Sequence, residues 1–208
     1  MHMLTGKVTR VASCWILAAM AVWTGATVAC PDGLCYTPVL DRQLLDATFA
    51  AQMPWLNSAM KFVTWLGSMV VLVPAALLLT LLLMRFFPLA NALRPALALG
   101  GAWLIAHAAK LAVARPRPDL HAALIEIPAD ASFPSAHTMQ VCAFALSSAL
   151  IAHRQYRAPA LTLALIVILT VAFSRVYLQV HFPSDVLAGL LAATGWVLGL
   201  HFLGRKSP

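Results

Sequence analysis

The chain has 208 residues, of which 62% are hydrophobic and only 10% charged, with a net charge of +7 and a mean hydropathy of +0.85. A soluble domain is about 45–50% apolar and about 25% charged, so this composition excludes a soluble globular protein and predicts an all-α, polytopic membrane protein. The basic residues are spread over short inter-helix segments with no aromatic-basic surface or binding motif, which argues for anionic lipid and against a nucleic-acid partner.

Taken in order, residues 1–10 carry Lys7 and Arg10 and precede an apolar run from Val11 to Ala29. That run resembles a secretory signal, yet it is long enough to cross a bilayer, and an uncleaved first span is expected. Cys30 and Cys35 flank a short polar segment and are close enough to pair if it lies outside the cytosol. Residues 30–61 are mixed, but the stretch 40–62 has apolar positions at helical spacing with Trp55, and Trp65 further on, as expected of an interfacial helix at headgroup depth.

Further spans are expected over Phe62–Phe87, with Pro74 a candidate kink, over Pro95–Ala114, His137–Ala152, Pro159–Leu178 and Pro183–Leu203. The stretch 115–136 is polar and proline-rich, and His153–Arg157 is a basic turn. The expectation is one domain over residues 1–208, a six-helix transmembrane bundle with both termini on one side. Lys7, Arg10, Arg85, Arg94, Arg154, Arg157, Arg205 and Lys206 then share that side, which the positive-inside rule makes cytoplasmic. The plasma membrane is the expected location, with the opposite face exposed outside.

Six cations on the outer face oppose that rule; Arg42 and Lys61 belong to the interfacial stretch, which leaves Lys110, Arg115, Arg117 and Arg175 to explain. The span count brings them to Ser135, His137, His181 and Asp185. Charged groups at a bilayer border are costly and mark function. Lys110 ends a helix, whereas Pro116 and Pro118 force Arg117 into an extended segment, so the two reach a phosphate from different directions. Ser135 is a candidate cap for a helix whose N-terminal amides suit an anion. Asp185 can accept one imidazole N–H of His181 and leave the other nitrogen to attack phosphorus, while protonated His137 serves a leaving oxygen. Singly, Arg117 also fits an interfacial anchor, Lys110 a snorkelling side chain, and His181 with Asp185 a structural pair. His107, His121, His153 and His201 lack comparable partners in the sequence and are read as structural. His137, His181 and Asp185 also match a zinc ligand set, but the neighbouring cations would repel a divalent ion.

These residues carry a resemblance. Lys110 to Arg117-Pro118, then Pro134-Ser135-Ala136-His137, then Ser174-Arg175 through His181 to Asp185 resemble the three motifs of the type 2 phosphatidic acid phosphatase (PAP2) superfamily, in order and spacing, within residues 110–185. The resemblance implies metal-independent, cofactor-free phosphatase chemistry through a phosphohistidine on His181, with His137 as acid and Asp185 as orienting carboxylate. It places phosphate binding on Lys110, Arg117, Arg175, Ser135 and the backbone of Ala136, and passes over Arg115. Ala136 stands where the family has glycine. A positive φ there would strain alanine, and a helical φ would add only a methyl group. The implied substrates are lipid phosphates or pyrophosphates at the outer leaflet, undecaprenyl pyrophosphate first, with phosphatidylglycerol phosphate, phosphatidic acid and lipid A phosphate as alternatives. A lipid phosphotransferase shares the first half-reaction, and a non-catalytic lipid or anion carrier would need the cations but not the His181–Asp185 spacing.

Overall fold

The computed structural model describes residues 2–204, with side chains from residue 6 onward; Arg205 and Lys206 of the charge argument lie outside the described residues. Among these residues every regular element is helical. The helices are α1 His2–Ala29, α2 Val39–Ala50, α3 Pro54–Val63, α4 Met69–Leu83, α5 Leu89–Ala92, α6 Arg94–Val113, α7 Ala136–Ile151, α8 Arg154–Tyr177 and α9 Pro183–Leu203.

The chain is a multi-pass membrane protein. Helices α1, α6, α8 and α9 are each long and apolar enough to cross a bilayer, and α3 with α4 forms a bent pair that can make a fifth crossing. Helix α7 is apolar but has only 16 residues. Large apolar side chains such as Trp23, Phe62, Val70 and Leu111 point outward, as lipid rather than water would favour.

Helix α7 sits at the centre, packed against α6, α8 and α9, while α1 runs along α9. Residues Thr138 to Ala143 are buried without a break, so α7 has no outward face in that stretch. The core around it is built from small residues, among them Ala98, Ala102, Ala106, Ala143, Ala164, Ala192 and Ala193. Membrane helices gain little from burying apolar surface against one another, so close backbone approach through small residues holds them together. Gly195 shows the principle, because a Cβ there would lie 2.8 Å from the Cys14 carbonyl oxygen of α1. The tight fit of α1 on α9 makes the first apolar run part of the bundle.

The span expected over Phe62–Phe87 is broken. Helix α3 ends at Val63, a 3-10 turn covers Thr64–Gly67, and α4 leaves at 49°. The sequence pointed to Pro74 as the bend, but α4 runs through it. The break lies at Gly67-Ser68 instead. Ser68 is extended, and its hydroxyl accepts the Val70 N–H at 3.2 Å, starting a new helix. Gly67 is pressed against His137 and Val171, where a side chain would meet atoms at about 3 Å. The basic turn expected at 153–157 is also different, since α8 already begins at Arg154. Cys30 and Cys35 are joined as a disulfide.

Candidate active site

At one end of the bundle, α6, α7, α8 and the connections 114–135 and 178–182 enclose a cavity of about 240 Å³. Lys110, Arg117, Ala136, His137, Arg175 and His181 line it, together with Asp130, Gln140, Trp103 and His107.

Each cation reaches the cavity for a local reason. Helix α6 stops because Ala114 adopts a left-handed conformation (φ 49°), four residues after Lys110. The chain then runs extended through Pro116 and Pro118 and holds Arg117 beneath Val180, whose carbonyl accepts from Arg117 Nη1 at 2.8 Å. Arg175 closes the last turn of α8, and its Nη1 donates to Thr64 Oγ1 at 2.5 Å, tying the broken turn to the site. Its Nε is buried without a partner.

Asp130 joins the first two cations. Its Oδ1 accepts from Arg117 Nη2 at 2.5 Å, and its Oδ2 lies 3.3 Å from Lys110 Nζ. Lys110 also donates to the Ala131 carbonyl. Burial pushes the Asp130 carboxyl up, but the Arg117 hydrogen bond and the Lys110 and Arg117 charges outweigh it and hold the group below its ordinary value.

His181 follows α8 by four residues. Its Nε2 lies 3.2 Å from Arg117 Nη1, on the cavity side. On its other edge, Nδ1 lies 3.5 Å from Asp185 Oδ2 and 3.4 Å from Ser132 Oγ. The Ser132 hydroxyl donates to the same Asp185 oxygen at 2.5 Å. Sequence reasoning expected a direct imidazole–carboxylate hydrogen bond, but 3.5 Å is too long for one, and Ser132 bridges the gap. Burial comes first, then the charges of Arg175, Arg117, Lys110 and His137, in holding the imidazole well below its ordinary 6.5. A neutral ring with one nitrogen facing three cations is the form that can attack an anion bound by them.

Ser135 departs from expectation. It precedes α7, but its side chain makes no capping bond; its oxygen accepts from Thr138 Oγ1 at 3.0 Å, and its N–H donates to the Asp185 carbonyl at 3.1 Å. Ser135 is fully buried and is not among the residues that line the cavity. Ala136 does line it, as the first residue of α7, and is not among the residues with positive φ. Its methyl group therefore carries no backbone strain.

Four further residues escaped the sequence. Asp130 and Ser132 sit in an irregular loop without periodicity. Arg115, passed over by motif spacing, is 1% exposed and ion-paired to Asp185 at 2.5 Å and to Asp41 of α2 at 3.0 Å. Nothing local in the sequence pairs positions 41, 115 and 185. His107, read as structural, lines the cavity with its Nδ1 2.9 Å from the Trp103 carbonyl. His121, also read as structural, pairs with Asp46 at 2.7 Å and stacks on Phe49, and does not line the cavity.

The sequence model of the PAP2 superfamily matches residues 91–207. Phosphatidylglycerophosphatase B of Bacillus subtilis (strain 168) is 29% identical over 181 residues, 84% of this chain and 83% of the relative. A protein of Escherichia coli (strain K12) provisionally named undecaprenyl-diphosphatase is 45% identical over 64 residues, 31% of this chain and 30% of the relative. Among solved structures, a transmembrane PAP2-type phosphatidylglycerolphosphate phosphatase from Bacillus subtilis superposes with a TM-score of 0.75 at 26% identity, covering 94% of both chains.

Proposed function

Because the chain belongs to the PAP2 superfamily and is a membrane phosphatase of that type, we propose that it hydrolyses a lipid phosphate or pyrophosphate through a phosphohistidine on His181. The observation that carries the reading is the orientation of His181, with Nε2 toward Arg117 and the cavity and Nδ1 toward Ser132 and Asp185.

The terminal phosphate enters among Lys110, Arg117 and Arg175, displacing Asp130 from the two cations it pairs. Nε2 of His181 forms a bond to phosphorus as the bond from phosphorus to the lipid-side oxygen breaks. His137 on the cavity wall gives that oxygen its proton and releases the lipid alcohol or lipid monophosphate. Water then attacks the phosphohistidine, His137 takes the water proton, and inorganic phosphate leaves with His181 restored. The positive cavity stabilises the charge on the transferring phosphoryl oxygens in both steps. Ala136 offers its backbone to the phosphate; Ser135 acts from behind the wall through Thr138 and Asp185.

Six spans, with α3–α4 as the second and α7 as the fourth, put the termini in the cytoplasm and the cavity on the outer face of the plasma membrane. Helix α2 then lies at the interface on the cavity side, and the substrate tail leaves past Met69 and Trp103. Undecaprenyl pyrophosphate is the first substrate to test, since an outward site suits a carrier lipid released there. Phosphatidylglycerol phosphate is the second, favoured by the Bacillus subtilis relative that aligns over most of this chain. Phosphate release by the purified protein across these two lipids, phosphatidic acid and lipid A phosphate decides. Release from undecaprenyl pyrophosphate at the highest kcat/KM supports the first assignment, and release from none would refute the phosphatase.

A further inference from the structure

Behind Asp185 lies a buried polar chain that the phosphatase reading does not require. Arg115 Nη1 donates to Asp185 Oδ1 at 2.5 Å and to Ser184 Oγ at 2.8 Å. Its Nη2 donates to Asp41 Oδ2 at 3.0 Å and to the Tyr36 carbonyl at 3.4 Å. The guanidinium carbon rests 3.9 Å over the Phe182 ring. Asp41, from the first turn of α2, also accepts the Ser184 N–H at 2.8 Å and the Ser184 hydroxyl at 2.5 Å. All three charged groups are buried.

Burying two carboxylates and a guanidinium is costly, and a purely structural clamp between α2 and α9 is made as well by apolar packing. What this arrangement adds is orientation. Arg115 takes Oδ1 of Asp185 and leaves Oδ2 to the Phe182 N–H at 3.0 Å, the Ser132 hydroxyl and the His181 edge. Asp41 in turn fixes Arg115 from the other side and holds an N–H in the first turn of α9, the turn that carries Asp185. Asp41 lies outside residues 91–207, the part of the chain that the superfamily matches.

We propose that Asp41 and Arg115 are positioning residues for catalysis, the outer members of a chain Asp41–Arg115–Asp185 that sets which carboxylate oxygen faces His181. Helix α2 is thereby a component of the catalytic centre. The inference rests on the phosphohistidine reading and concerns how its nucleophile is aimed. Neither residue touches the substrate, so their loss acts on kcat and spares KM.

The test uses the full-length protein in detergent with one lipid phosphate that it hydrolyses. Asp41→Asn, Arg115→Lys and Arg115→Met are compared for kcat, KM and helical circular dichroism. Removal of such outer partners costs about 10- to 100-fold. Asp41→Asn and Arg115→Met are expected to lose kcat in that range, with KM changed by less than about threefold. Arg115→Lys retains the charge but cannot bridge both carboxylates, and is expected to fall between Arg115→Met and the parent. Folded variants with the parent kcat, or with a loss confined to KM, overturn the proposal. Should the charge variants fail to fold, Ser184→Ala decides, because it removes one hydroxyl from the same chain and leaves every charge. A severalfold loss of kcat at unchanged KM supports the proposal, and a parent kcat overturns it. His181→Ala keeps the two levels apart: inactive His181→Ala beside fully active Asp41→Asn refutes only the positioning chain, whereas active His181→Ala refutes the nucleophile.

Discussion

Nη1 of Arg117 stands 3.2 Å from Nε2 of His181 while Nη2 of the same guanidinium grips Asp130 at 2.5 Å. One side chain thus touches both the proposed nucleophile and the carboxylate that pairs with two of the proposed phosphate-binding cations. Arg117 is where binding and attack meet, and the first two predictions come from that junction.

In the proposed mechanism Asp130 competes with the substrate for Lys110 and Arg117. Its charge persists across the neutral range because Arg117 and Lys110 together outweigh the effect of burial on it. Its depressed value means that its ion pairs contribute to stability above the ordinary carboxylate value of 3.8 and are lost only as the pH falls below that. The carboxylate is half exposed, so its hold is a modest one, on the order of 0.5–1 kcal/mol. Asp130→Asn should therefore lower KM and the inhibition constant of inorganic phosphate by about two- to fivefold. Steady-state inhibition at pH 7 checks this; weaker phosphate binding in the variant contradicts it.

The imidazole of His181 yields a prediction about acid. With its value held well below 6.5, the folded protein refuses a proton that the unfolded chain accepts. Above about 6.5 both states are neutral at this group and it contributes no pH dependence. As the pH falls below that, stability should decline by up to about 1.4 kcal/mol per pH unit, until the folded value is reached. His181→Asn should remove this part of the slope. Thermal unfolding of both proteins between about pH 7.5 and 5 tests it, and parallel curves would speak against a neutral His181.

Ser132 bridges the nucleophile and Asp185, with bonds of 3.4 and 2.5 Å on its two sides. Ser132→Ala leaves the imidazole edge and one carboxylate oxygen short of a partner. A loss of kcat of about 10-fold or more is expected, with KM little changed. Equal kcat in the two proteins would show that the hydroxyl is a bystander.

Ala136 replaces a family glycine at a helical position without positive φ. Ala136→Gly should lower stability by up to about 1 kcal/mol through backbone entropy. It should change kcat by less than about threefold, since no strain is relieved. A large gain in activity would mean that the methyl group obstructs the phosphate.

That Lys110, Arg117, His137, Arg175 and His181 gather around one cavity was legible in the sequence, because charged and titratable groups are rare in a chain this apolar. Lys110, Arg117, Arg175, His137, His181 and Asp185 stand out at the ends of its apolar runs, and the expected span order groups them. Their partners were not legible. Asp130 and Ser132 belong to a loop whose conformation follows no period, and Arg115 finds Asp41 across 74 residues of chain. The α3–α4 break was missed for a related reason: it comes from Gly67 meeting His137 and Val171, a tertiary contact with no local signal stronger than Pro74. Ser135 shows the opposite error, a residue suited to cap α7 that turns to Thr138 instead.

The account stands most directly on the covalent intermediate. Rapid alkaline quenching of a single turnover with substrate labelled in its terminal phosphate should trap label on the protein, because phosphohistidine survives alkali. Peptide mapping should place that label on His181, and His181→Ala should carry none while retaining its helical circular dichroism and releasing no phosphate. Label on another residue, or phosphate release by His181→Ala at an undiminished rate, would contradict the mechanism.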